Sequence, residues 1–161
     1  MGKHRTSNSE LPTSNDVGGA YVLNDGDGGS QKFNLEERLL RFASAIIDLA
    51  EALPTTRAAN HVAGQILRCG TSPYPNHGEA ESAESRDDFI HKMKVCLKEL
   101  RETRRWARLI AAKRWCRSDK DLMFVMSESD ELIRIFAASI QTAQRNQQLD
   151  RRTKGAEKAS G

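Results

Sequence analysis

The sequence predicts an all-α protein: an antiparallel four-helix bundle with a disordered N-terminal segment and a basic C-terminal tail. Three observations carry that prediction. Apolar residues recur every three or four positions in four separate stretches between Phe33 and Ala143, the period of a helix face turned to a core. No stretch shows the strict alternation of a half-buried strand. The joints between the stretches are short, so successive helices double back on one another.

The chain of 161 residues has room for one domain plus tails. Residues 1–32 hold six of the eleven glycines and few apolar side chains, too few to repay the entropy of ordering. Residues 33–147 form the expected bundle. Residues 148–161 are polar and read as a flexible basic tail. The start of the chain lacks the apolar run of a secretory signal, and no segment approaches the roughly 18 apolar residues of a membrane span. The expectation is a cytoplasmic protein without membrane contact. Cys69, Cys96 and Cys116 are odd in number and widely spaced, with no zinc-binding pattern, which fits free thiols in a reducing setting.

Helix one is expected over residues 34–53. Phe33, Leu39, Phe42, Ala43, Ile46, Ala50 and Leu53 make its core stripe, and Asn34 can cap it with Glu36 and Glu37 in the first turn. Leu35, Leu40, Ile47 and Leu49 form a second apolar flank, which points to contact with another subunit. Pro54 ends this helix. Helix two follows from about Thr56 to Arg68, with Gly64 as a place for close helix approach. Gly70, Pro73 and Pro75 then predict a helix end or sharp kink, because each proline removes a backbone donor and crowds the preceding turn. Residues 76–84 resume as a short helical turn.

Helix three is the longest periodic stretch. Ser85 with Asp88 resembles a capping box. Phe89, Met93, Cys96, Leu97, Leu100, Thr103, Ala107, Ile110 and Ala111 line one face, while Lys94, Lys98, Arg101, Arg105 and Arg108 line another. Lys98 and Glu102 are spaced as a pair on adjacent turns. Trp106 lies on the flank of the apolar stripe, where an aromatic suits an interface anchor. Helix four runs from about Leu122 to Gln144, with Ser127 or Ser129 as a candidate internal break or renewed cap.

Charge is the one functional signal in the composition. The formal net charge of +3 conceals a segregated distribution. Residues 91–117 carry ten Lys/Arg against two acids, and residues 79–88 carry five acids against one Arg. Five like charges on one helical stripe repel, and phosphate would relieve that repulsion. Lys94, Lys98, Arg101, Arg105 and Arg108 are therefore the candidate nucleic-acid contacts. Acidic protein partners, or pairing with the acids of residues 79–88 in the same or a neighbouring subunit, are the alternatives.

Catalytic chemistries find no matching pattern. A di-iron bundle needs Glu-x-x-His motifs, whereas Ala58, Tyr74 and Asp88 stand three before His61, His77 and His91. Ser72, His77 and Glu79 lack a nucleophile elbow. Gly18-Gly19 and Gly28-Gly29 lack the strand–turn–helix setting of a phosphate loop. The expectation is a non-enzymatic protein with no cofactor and no metal.

Across the break and into helix three the sequence carries an ordered series: Gln65, Arg68, Gly70–Ser72, Asn76, Glu79 and Ala80, then Glu84-Ser85-Arg86, Asp88-Phe89-Ile90-His91-Lys92, Lys98-Glu99 and Arg101-Glu102-Thr103. Over roughly Phe33–Ala143 it resembles the bacterial ribosomal-protein-S23-like, or 23S rRNA intervening-sequence, proteins. The resemblance implies an antiparallel four-helix bundle, often a ring-shaped homopentamer. It also implies a polar network among Arg68, Asn76, Glu79, Glu99 and Glu102, inside the bundle or between subunits. Relatives of the family serve as retroelement accessory proteins that bind nucleic acid and reverse transcriptase, and most members have no established activity. Pro73-Tyr74-Pro75 departs from the family pattern and bears on the continuity of helix two.

Overall fold

The computed structural model describes residues 34–116 and 119–159, with side chains of residues 154 and 156–159 left aside. Five helical elements follow one another: α1 (Leu35–Glu51), α2 (Arg57–Thr71), α3 (Pro73–Glu81), α4 (Arg86–Lys113) and α5 (Asp119–Ala159). The expected N-terminal segment 1–32 lies outside the described residues.

Three helices start in the same way. Asn34, Thr56 and Ser85 each hold extended backbone and accept a hydrogen bond from the amide three residues on, at 3.1, 3.2 and 3.1 Å. Each cap satisfies an amide that the first turn leaves without a helical partner. The end of α4 is less ordinary. Arg114 adopts a left-handed conformation at φ 53°. Its amide donates to the Ala111 carbonyl and that of Trp115 to the Ile110 carbonyl, closing a Schellman-type turn on a residue other than glycine.

The prolines produce an interruption one residue long. Ser72 separates α2 from α3 while keeping helical angles (φ −59°, ψ −37°), and Pro73 occupies the first position of α3, where a missing N–H matters least. Asn76 secures the joint: its side-chain amide donates to the Ser72 carbonyl at 2.9 Å and to Ser72 Oγ at 3.0 Å. Thus α2 and α3 act as two halves of one rod, and the molecule is a four-helix bundle.

Within that bundle α1 packs on α2, α3 and α5, and α4 packs on the same three, so α1 and α4 stand diagonally opposite. The α4–α5 pair is antiparallel: Arg104 meets Asp130 at 2.5 Å, Gln147 meets Asp87 at 2.6 Å, and Arg86 meets Asp150. Phe42, Ile46, Ile66, Leu100, Ile110, Leu132 and Phe136 fill the core.

Gly70 sets the α1–α2 approach. A Cβ built there would lie 2.7 Å from both Cγ atoms of Ile46, whereas Gly64 has open space around it. The close-approach role expected of Gly64 therefore belongs to Gly70. The serine break expected in the fourth helix does not form. Ser127 and Ser129 donate to the carbonyls of Phe124 and Val125 at 3.1 and 2.6 Å and leave α5 continuous. This helix also continues beyond Gln144 through the stretch assigned to a tail, ending at Ala159. Its 41 residues extend about 60 Å, against about 42 Å for the 28 of α4. Among the described residues no helix is long and apolar enough to cross a membrane.

Candidate nucleic-acid interface

The geometry of α4 sorts its cations into two groups. Those directed at a neighbouring helix are paired. Lys92 holds Glu79 of α3, Arg104 holds Asp130 of α5, and Arg86 holds Asp150 of α5. Lys94, Arg101, Arg105 and Arg108 are exposed and, among the described residues, have no carboxylate within 4.0 Å. Lys98 is exposed too and approaches only Glu99, at 3.8 Å. The five follow one another at steps of four, three, four and three residues, one line about 21 Å long at 1.5 Å rise per residue.

Beside this line is an open groove of about 910 Å³. Lys94, Lys98, Arg101 and Arg105 rim it, and Leu97, Trp106, Leu109 and Ile140 form its apolar floor. Leu109 is 40 % exposed, a large apolar side chain left in water. Trp106 is half-buried. Its indole N–H donates to Glu102 Oε1 at 3.3 Å, and His61 of α2 packs edge-on against its ring at 6.3 Å. The expected interface anchor thus has an internal partner on one side and the groove on the other.

The five residues expected to form one polar network fall into three sites. Arg68, Glu99 and Glu102 meet across α2 and α4: Arg68 contacts Glu102 at 2.6 Å and Glu99 at 3.7 Å. Glu99 is buried, and its Oε2 accepts no hydrogen bond among the described residues. Arg68 is the cation nearest that oxygen, and Lys98 approaches the other at 3.8 Å. Asn76 closes the α2–α3 joint, and Glu79 pairs with Lys92 farther along. Among the described contacts the one expected network is three sites: Asn76 lies about two turns from Arg68 and turns to Ser72, and Glu79 lies about three turns from Arg68 and turns to Lys92. The expected Lys98–Glu102 pair is also absent among the described contacts, since Glu102 turns to Arg68 and Trp106.

Reactive chemistry finds little purchase. Burial pushes the Cys69 thiol up to about 11 and the Cys96 thiol to about 12, so both stay protonated at neutral pH. Burial also raises Cys116. His77 is buried, edge-on to Phe136 at 6.0 Å, and desolvation lowers its pKa while Glu81 and Glu36 oppose that shift. Among the described residues no cluster of three or more His, Cys, Asp or Glu is placed to hold a metal ion.

Leu97, Leu109 and Ile140 are the site residues that sequence reasoning did not single out. Leu109 carries a local signal, three residues after Trp106 on the flank of the basic stripe. Ile140 arrives from α5, and only the tertiary fold places it there.

Fold and surface together define a class: an antiparallel helical bundle with a cationic, apolar-floored groove on one outer helix. The particular family follows from comparison with known proteins. A model of the 23S rRNA-intervening sequence proteins matches residues 31–138. Among solved structures the chain is similar to a protein of unknown function from the S23 ribosomal protein family of Bacteroides thetaiotaomicron VPI-5482. That similarity has 32 % identity and a TM-score of 0.61 and covers 66 % of this chain and 98 % of the other. No curated protein matches. This chain belongs to the 23S rRNA-intervening sequence protein family.

Proposed function

We propose that this bundle is a non-enzymatic nucleic-acid-binding accessory protein whose α4 stripe contacts the phosphate backbone. The sorting of cations carries the reading. Every α4 cation that faces a neighbouring helix has an acid, and four of the five on the outer line have none among the described residues. A line of unneutralised charge releases counterions on meeting phosphates and binds with little regard to sequence. Trp106 and Leu109 offer apolar area beside it, suited to unstacked bases of a single strand.

The test is a fluorescent single-stranded RNA titrated by anisotropy at several salt concentrations. Five phosphate contacts predict a log–log salt slope of about −3.5, and Arg101→Ala/Arg105→Ala/Arg108→Ala should reduce it to about −1.4. A folded triple variant with unchanged affinity and slope would remove the assignment. The apolar floor supports a second reading, an acidic protein partner.

A further inference from the structure

One residue of the α4 groove runs against its charge. Lys94, Lys98, Arg101 and Arg105 rim it, yet the carboxylate of Glu102 lines it too, with its side chain 29 % exposed. The two oxygens of that carboxylate are unequal. Oε1 accepts from Arg68 Nη2 at 2.6 Å and from the Trp106 indole N–H at 3.3 Å. Oε2 has no hydrogen bond among the described residues. Holding Arg68 and the indole therefore takes one oxygen and leaves an acceptor facing solvent. Arg68 is shared with Glu99, 3.7 Å away, so it does not cancel Glu102 alone. A surface that only collected phosphates would lose by keeping this acceptor, because a carboxylate repels them.

We infer that the groove takes a guanine of a single strand, stacked on Trp106 with its N1–H and N2–H donating to Glu102 Oε2. This rests on the phosphate-binding reading above and names the base that accompanies the phosphates. The chemistry of base edges selects guanine. Adenine and cytosine set an amino donor beside a ring acceptor, and uracil sets its N–H between two carbonyls. Guanine places two donors side by side, which a carboxylate accepts without meeting an acceptor between them. Among the described residues no ring lies flat on the indole, since His61 meets it edge-on with 77° between the planes. A base can therefore use the indole face, as bases do on aromatic platforms. Lys98 and Arg105 stand one helical turn before and after Glu102, so each side of the base has a cation for a flanking phosphate.

The experiment is competition anisotropy of the full chain with uridine octamers carrying guanosine, adenosine or inosine at two positions. The guanosine octamer should bind about tenfold tighter than the adenosine one. Inosine lacks the N2 amine and should fall between them. Glu102→Gln, with its fold checked by circular dichroism, should abolish the preference and tighten the adenosine octamer, because a repelling charge is gone. A Glu102 that served only to brace Arg68 and Trp106 would instead weaken all three octamers together when replaced, and that result overturns the inference. In a Trp115→Phe background the guanosine octamer should quench the fluorescence of Trp106; bound octamer without quenching also overturns it. The inosine comparison makes the test without altering the protein. Equal, salt-sensitive affinity for all three octamers overturns the guanine site and leaves the phosphate stripe standing. No binding of any octamer at low salt overturns both.

Discussion

Two glycines of α2 make a matched experiment on how closely the helices approach. Replacing Gly64 by Ala adds a methyl where nothing lies within 4 Å, so only the helix propensity gain of about 1 kcal/mol should appear. Replacing Gly70 by Ala brings the same gain and a clash. The new Cβ would lie 2.7 Å from Ile46 Cγ1 and Cγ2 and 2.8 Å from Cδ1. Ile46 is fully buried and branched at Cβ, so it has essentially one rotamer in a helix and cannot swing aside. Relief requires moving α1 from α2, which in a packed core costs about 1–3 kcal/mol. Gly70→Ala should therefore fall below Gly64→Ala by about 1–3 kcal/mol, a difference in which the propensity term cancels. Urea denaturation of both variants measures it, with equal slopes required for the comparison. Ile46→Ala should be less damaging in the Gly70→Ala background than alone, because the methyl partly fills the space it leaves. Equal stabilisation by both alanines would refute the close approach.

Three further outcomes rest on other contacts. His77 is buried with a lowered pKa, so the unfolded chain takes the proton first; its contribution to stability is present above about pH 6.5 and lost as pH falls below it. Wild type should lose more stability than His77→Gln between pH 7.5 and 5.5 in urea melts, and parallel curves would exclude the histidine as the cause. Arg114→Gly should stabilise by about 1 kcal/mol in thermal melts, since glycine carries no penalty at φ 53°; a loss would mean that the arginine side chain contributes more than its backbone strains. Arg68→Met should destabilise by on the order of 1–2 kcal/mol by removing the cation nearest the unpaired oxygen of buried Glu99, and Glu99→Gln should recover part of the loss. Additive effects in that double-mutant cycle would show that the two do not interact.

Elements governed by local rules were legible in the sequence. The apolar period located the helices, and the caps at Asn34 and Ser85 follow from short polar side chains placed before acidic first turns. What the sequence left open depends on neighbours. Pro73 and Pro75 can end a helix or restart one; the choice fell to Ser72, whose helical angles Asn76 supports from one turn ahead. Gly64 and Gly70 look alike in sequence, and only the path of α1 distinguishes them. Glu102 could have paired with Lys98 along α4, but Arg68 reaches across from α2 and takes it, leaving Lys98 to approach Glu99 instead. For the stripe, the five cations can be picked out from the sequence, while the lack of an acid beside four of them depends on where Asp130, Asp150 and Glu79 sit in space.

That lack has an energetic consequence which bears on function. Lys94/Lys98 and Arg101/Arg105 are like charges four residues apart, and Lys98/Arg101 and Arg105/Arg108 are three apart. Each such pair destabilises an exposed helix by about 0.2–0.5 kcal/mol, so the line as a whole costs roughly 1–2 kcal/mol at low salt. The same helix shows how readily acids can be supplied, because every cation facing α3 or α5 has one. Folding alone gives no reason to leave the outer line bare. The phosphate ligand proposed above would bring the missing negative charge, and it would bind in part by relieving repulsion already built into the free protein.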